Sequence, residues 1–172
     1  MDKLRFPIGK YKSVKNPTDT ILASWIKTIE AFPSNLNNAV NGLSKEQLKQ
    51  TYRPEAWTII QLVHHLADSH MNAYMRFKLA LTEEKPVIKP YNEARWAKLP
   101  DYRSSIDSSL NIIEGVHTRW AELLKPMPDE EYKRTYIHPE FNSEFDLKEA
   151  TCQYDWHCKH HLAHIALAKN NI

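Results

Sequence analysis

A chain of 172 residues, 42% hydrophobic and 26% charged, can bury one sizeable core and is too short for two domains to be the default, so residues 1–172 read as a single domain and not as a disordered polymer. Three glycines against ten prolines disfavour turn-rich β architectures and phosphate-cradling glycine loops, and leave helices bounded by prolines. The net charge of +2, from 23 basic and 21 acidic residues spread along the chain, supplies no basic stripe for a nucleic acid.

The opening MDKLRFPIGKYK is an extended, basic lead-in without the apolar run of a signal peptide, and no stretch of about 18 uncharged apolar residues follows anywhere. A cytoplasmic, membrane-free protein is the expectation. From Thr18 to about Leu43 the spacing of Ile21, Trp25, Ile29, Phe32 and Leu36 predicts helix one, with a kink or break near Phe32 because Pro33 lies inside it. Ser44 and Gln47 have capping-box spacing and open a short turn. Thr58 is the predicted N-cap of helix two, which runs to about Leu81 and buries Ile59, Leu62, Val63, Leu66, Ala73 and Phe77.

Between Glu83 and Tyr102, Pro86, Pro90 and Pro100 interrupt the pattern, and a connection of that length reads as a crossover along a bundle. Helix three is predicted from about Ser105 to Lys125, on the stripe of Leu110, Ile113, Val116, Trp120 and Leu124, and Pro126 and Pro128 end it. The segment YKRTYIHPEFNSEF alternates weakly around the turn residues Asn142 and Ser143, which suits a short β-hairpin or an extended loop. Asp146 and Glu149 again have capping-box spacing, and helix four is predicted from Leu147 to Lys169. The fold class is all-α: a four-helix bundle with a long crossover between helices two and three and a short hairpin before helix four. Cys152 and Cys158 lie six apart in helix four, point in different directions and cannot easily bridge.

Seven of the nine histidines fall in two segments, HHLADSH at 64–70 and HCKHHLAH at 157–164. In helix four, His157 and His161 stand one turn apart, so both imidazoles can reach one metal; His160 and His164 have the same spacing. At 100° per residue, Ala150, Tyr154, His161, His164 and Ala168 all lie within roughly 60° of His157, on the inward stripe. Buried neutral imidazoles leave donors and acceptors to satisfy, and a metal satisfies up to three at once. On helix two, periodicity favours His70, nearest the centre of the apolar stripe. His65 instead joins Thr58, Ser69, Asn72 and Arg76 on a polar stripe able to line a cavity. Spacing alone leaves both pairs on helix four, and both histidines on helix two, as candidates.

The runs WTIIQLVHHLADSHMNAYMRFKLALTEE and WHCKHHLAHI resemble the DinB-like superfamily, and closely resemble its YfiT-like branch of metal-dependent hydrolases; the likeness extends from PIGKYK over nearly the whole chain. The resemblance implies a four-helix bundle holding zinc or nickel through one histidine of helix two and two of the last helix. By position these are His65, His157 and His161, which makes His70, His160 and His164 neighbours and assigns His64 no role. After the last ligand, Leu162 and Ala163 stand where the broad family pattern has an arginine and a glycine.

Three protein ligands leave a position open for water or substrate, the arrangement of a catalytic site. The resemblance implies either hydrolysis of a small molecule or transfer of a low-molecular-weight thiol such as bacillithiol, and a homodimer. A non-catalytic metal-binding bundle is the reading from another class. Asp68 and Asp155 are the candidate general bases or orienting partners, and Asn72 and Arg76 the candidate contacts for an anionic substrate group. Trp57, Tyr154 and Trp156 are candidate pocket walls. His117 and His138 lie outside both clusters and receive no role.

Overall fold

Stretches with apolar residues every three or four positions become the four long helices of the structure, a computed structural model that describes residues 2–171. These are α1 (Asp19–Val40), α2 (Ile59–Thr82), α3 (Asp107–Leu124) and α4 (Leu147–Lys169). Side chains close the first turns of α1, α2 and α4. Thr18 accepts from the Ile21 N–H, Thr58 and Gln61 form a reciprocal capping box, and Asp146 accepts from the Glu149 N–H. Gly42, with φ of 75°, turns the chain out of α1 earlier than Leu43, in a conformation that costs glycine little.

Single helical turns fill the connections at Asp2–Arg5, Lys45–Leu48, Glu93–Trp96, Pro100–Arg103 and Asp129–Tyr132. The hairpin forms from β1 (Thr135–His138) and β2 (Ser143–Asp146), antiparallel with Tyr136 opposite Phe145. It is fastened to the crossover, since Ile137 N–H donates to the Pro86 carbonyl and Ile88 N–H to the Ile137 carbonyl. Both cysteines are free and buried. Among the described residues no helix is long and apolar enough to cross a membrane.

α1 packs against α3 and α4, and α2 packs against the same two, which places α1 and α2 on one diagonal of the bundle and α3 and α4 on the other. Consecutive diagonal helices cannot be joined by a tight turn, so the connections at residues 41–58 and 125–146 are long, as is the crossover at 83–106. Packing supplies the stability, because each fully buried Phe, Leu or Ile contributes about 1.5–3 kcal/mol, far above any helix propensity. Two apolar clusters form. One joins Phe32, Leu36, Leu62, Leu66, Ile113 and Ile165; the other joins Ile29, Phe77, Trp120, Leu124, Leu147 and Tyr154. Histidines of α2 and α4 form a polar belt near their junction.

Of the kink or break expected near Phe32, the break does not form: α1 continues through Pro33. A proline at 33 has no N–H to give the carbonyl of Ile29. His117 of α3 fills that vacancy: its Nδ1–H donates to the Ile29 oxygen at 2.6 Å. A side chain from a neighbouring helix thus satisfies the group that the proline orphans.

Candidate metal site

α2 carries His65 and α4 carries His157 and His161 to one end of the belt. Each offers a ring nitrogen, and these atoms all lie within 4.8 Å of one another. Ring centroids are 5.5 Å apart for His65 and His157, 5.0 Å for His65 and His161, and 4.5 Å for His157 and His161. Burial lowers the pKa of His65 to about 4. Burial, followed by the neighbouring imidazoles, holds His157 and His161 well below the ordinary histidine value. All three are therefore neutral near pH 7 and present lone pairs, the form a metal requires. His65 Nδ1 is buried without a hydrogen-bond partner, and the nearest carboxylate, Glu93, stands 3.9 Å away. A converging set of neutral imidazoles with an unsatisfied nitrogen fits a divalent transition metal.

The same pKa shifts set an acid limit on the metal-free fold. An unfolded histidine takes up a proton near pH 6.5, whereas folded His65 and His117 resist it until about 4. The unfolded state binds more protons in that window, so stability falls as pH drops through it, by up to about 1.4 kcal/mol per pH unit for each such histidine. Urea melts of metal-free protein at about pH 7 and about pH 5 check this; equal midpoints would contradict it.

His70, which periodicity favoured on helix two, is fully buried behind the site. Its Nε2 lies 2.9 Å from His157 Nδ1 and its Nδ1 lies 2.7 Å from His117 Nε2, so both nitrogens are occupied. The centre of the apolar stripe points at the bundle interior, while the cavity opens at its polar edge, where His65 sits. On α4, His160, His161 and His164 form a second grouping within 4.8 Å. There His164 Nε2 donates to the Arg5 carbonyl at 3.1 Å and its ring stacks on Tyr52. His160 stacks on Trp156. His64 binds Ser109 of α3 at 2.7 Å and serves to join helices.

Two cavities flank the three histidines. The first, about 410 Å³, is lined by Arg5, Arg53, Trp57, His65, Trp156 and His161 among others, and the second, about 440 Å³, by Ser69, Arg76, Tyr91, His138 and Tyr154; His157 and Glu93 line both. The three aromatic residues expected as walls thus each face a cavity, and Arg76 reaches the second one. Asn72, Asp68 and Asp155 line neither. The Asn72 amide donates to the Asp68 backbone carbonyl at 2.8 Å, the Asp68 carboxylate accepts from Tyr102 at 2.6 Å, and Asp155 pairs with Lys159 at 2.6 Å.

The carboxylate at the site is instead Glu93, which sequence reasoning did not single out. It begins the single turn Glu93–Trp96, fixed by Asn92, whose side chain accepts from the Arg95 N–H at 3.0 Å. Burial, reinforced by the charge of Glu140, holds its carboxyl above the ordinary glutamate range. The signal available in the sequence was an N-cap spacing, Asn92 to Arg95, inside the proline-interrupted crossover. Arg5 and Arg53, also missed, come from the lead-in and from the loop before α2.

The family model of the DinB superfamily matches residues 28–165. A relative from Oceanobacillus iheyensis, named "Putative metal-dependent hydrolase", is 48% identical over 161 residues, covering 94% of this chain and 93% of that one. A Bacillus cereus relative of the same name is 44% identical over 172 residues, covering 100% and 99%. Among solved structures, YfiT from Bacillus subtilis, described as "a probable metal-dependent hydrolase with an unusual four-helix bundle topology", matches with a TM-score of 0.95 at 40% identity, over 98% of this chain and 97% of its own.

Proposed function

Because the chain belongs to the DinB superfamily and gathers three neutral imidazoles beside an open cavity, we propose that it hydrolyses a small molecule at one zinc or nickel ion held by His65, His157 and His161. The convergence of those three ring nitrogens within 4.8 Å is the observation that carries the reading. A divalent metal on three protein ligands keeps a position for water or substrate and acts there as a Lewis acid.

The chain's own residues supply the rest. Glu93, facing both cavities, is the general base: its carboxylate takes a proton from the attacking water and returns it to the leaving group. Arg76 holds an anionic group of the substrate in the second cavity, and Arg5 and Arg53 offer cationic partners in the first. Trp57, 4.8 Å from the His65 ring, and Trp156 form apolar walls that limit water around the reacting atoms.

The two cavities meeting at His157 and Glu93 favour thiol S-transfer as the second reading. A low-molecular-weight thiol in one cavity and an electrophile in the other would both face the site. Turnover by metal-loaded protein, measured on esters, amides and alkylating electrophiles with and without added thiol, separates them. Hydrolysis in water alone is the expected result. A strict thiol requirement favours the transferase, and absence of metal-dependent turnover in either case leaves a non-catalytic metal-binding bundle.

A further inference from the structure

His70 and His117, which the proposed ligand set does not use, form a row with His157 that runs from the site to the backbone of α1. His157 Nδ1 lies 2.9 Å from His70 Nε2, His70 Nδ1 lies 2.7 Å from His117 Nε2, and His117 Nδ1 lies 2.6 Å from the Ile29 carbonyl. The far end fixes the direction of every proton. A carbonyl only accepts, and Pro33 leaves this one without its helical donor, so His117 carries its proton on Nδ1.

His70 and His117 are both 0% exposed and make hydrogen bonds only to each other, His157 and a carbonyl, with no carboxylate among their partners. A ring in that setting holds one proton. With Nδ1 protonated, His117 Nε2 must accept, so His70 donates from Nδ1. His70 Nε2 then must accept, so His157 donates from Nδ1 and its Nε2 lone pair is left bare. Phe32 packs its ring 5.1 Å from the centroids of both His70 and His117, which restricts their rotation.

We infer that His70 and His117 are positioning residues: anchored on the Ile29 carbonyl that Pro33 exposes, they hold His157 in the Nδ1–H tautomer and present its Nε2 to the metal. The inference rests on the metal-site reading above. A shorter arrangement of the same kind backs His161, whose Nδ1 lies 3.4 Å from Nδ1 of His164, itself a donor through Nε2 to the Arg5 carbonyl. Partners of this kind fix ligand orientation, and their loss costs about 10–100-fold in metal affinity.

The test reads tautomers directly, by two-bond ¹H–¹⁵N imidazole correlations on ¹⁵N-labelled metal-free protein, alongside zinc affinity by competition with a chromophoric chelator. His117, His70 and His157 are each expected as Nδ1–H in the unaltered chain. His70→Leu is expected to release His157 to the Nε2–H form that free imidazole side chains favour, and to weaken zinc about 10–100-fold. His70→Gln, whose oxygen accepts from His157 and whose amide donates to His117, is expected to restore the Nδ1–H form and most of the affinity. A merely structural role would not reproduce that tautomer reversal and rescue.

His157 found as Nε2–H in the unaltered protein overturns the inference whether or not zinc binds, and needs no variant to fold. Unchanged zinc affinity in folded His70→Leu also overturns it. An intact Nδ1–H row in a protein that binds no zinc upholds the proton order and overturns the metal reading instead.

Discussion

Alanine at His65, His157 or His161 is expected to abolish tight metal binding, with a loss exceeding the roughly 100-fold upper range for removing an outer partner. Each substitution deletes one of three lone pairs whose nitrogens lie within 4.8 Å, and the remaining two cannot define the site. His160→Ala is the matched control, because His160 stacks on Trp156 and lies outside the grouping of His65, His157 and His161; its affinity should stay close to that of the unaltered chain. The metal-free variants should melt no lower than the parent by more than the packing lost. What disappears is the stabilisation by added metal, about 2.7 kcal/mol at a free concentration 100 times Kd. Thermal melts with and without zinc, next to a chelator competition, read both effects.

Glu93→Gln is expected to lower turnover by about 10²–10⁴-fold, the range for loss of a positioned general base. The amide keeps the size and hydrogen-bonding reach of the side chain but cannot take a proton. Burial already holds the Glu93 carboxyl above its ordinary range, which moves it toward the working pH of a base. The same carboxylate stands 3.9 Å from His65 Nδ1, so an effect on metal binding must be told apart. If that were its whole contribution, turnover would fall in step with metal occupancy and excess metal would restore it. A rate loss that persists at full occupancy identifies the base.

The long helices were legible because burial imposes a period. The stripe Leu110, Ile113, Trp120 and Leu124 and the caps Thr58 and Asp146 fix α3, α2 and α4 within a few residues. The pairing of His157 with His161 was visible as one helical turn, but the same spacing admitted His160 with His164. What sets the first pair apart is His65, which converges on it from another helix, while His164 is engaged by the Arg5 carbonyl and Tyr52; all of these come from distant parts of the chain. On helix two, periodicity located the core and left His65 and His70 both open, with His65 on a polar stripe that does line a cavity. The centre of the apolar stripe belongs to the interior, so His70 lies deeper than His65. Glu93 escaped because a single turn held by Asn92 has no period to detect. At Pro33 the expected break is absent for a different reason: the rule that proline breaks a helix assumes that nothing else satisfies the carbonyl, and here His117 does.

The most direct test is an equilibrium titration of metal-free protein with zinc and with nickel against a chromophoric competitor, run on the parent chain, His65→Ala and His160→Ala in parallel. One tight site per chain is expected in the parent and in His160→Ala, and none in His65→Ala. A tight site retained at full stoichiometry in His65→Ala would contradict the assignment of His65 as a ligand.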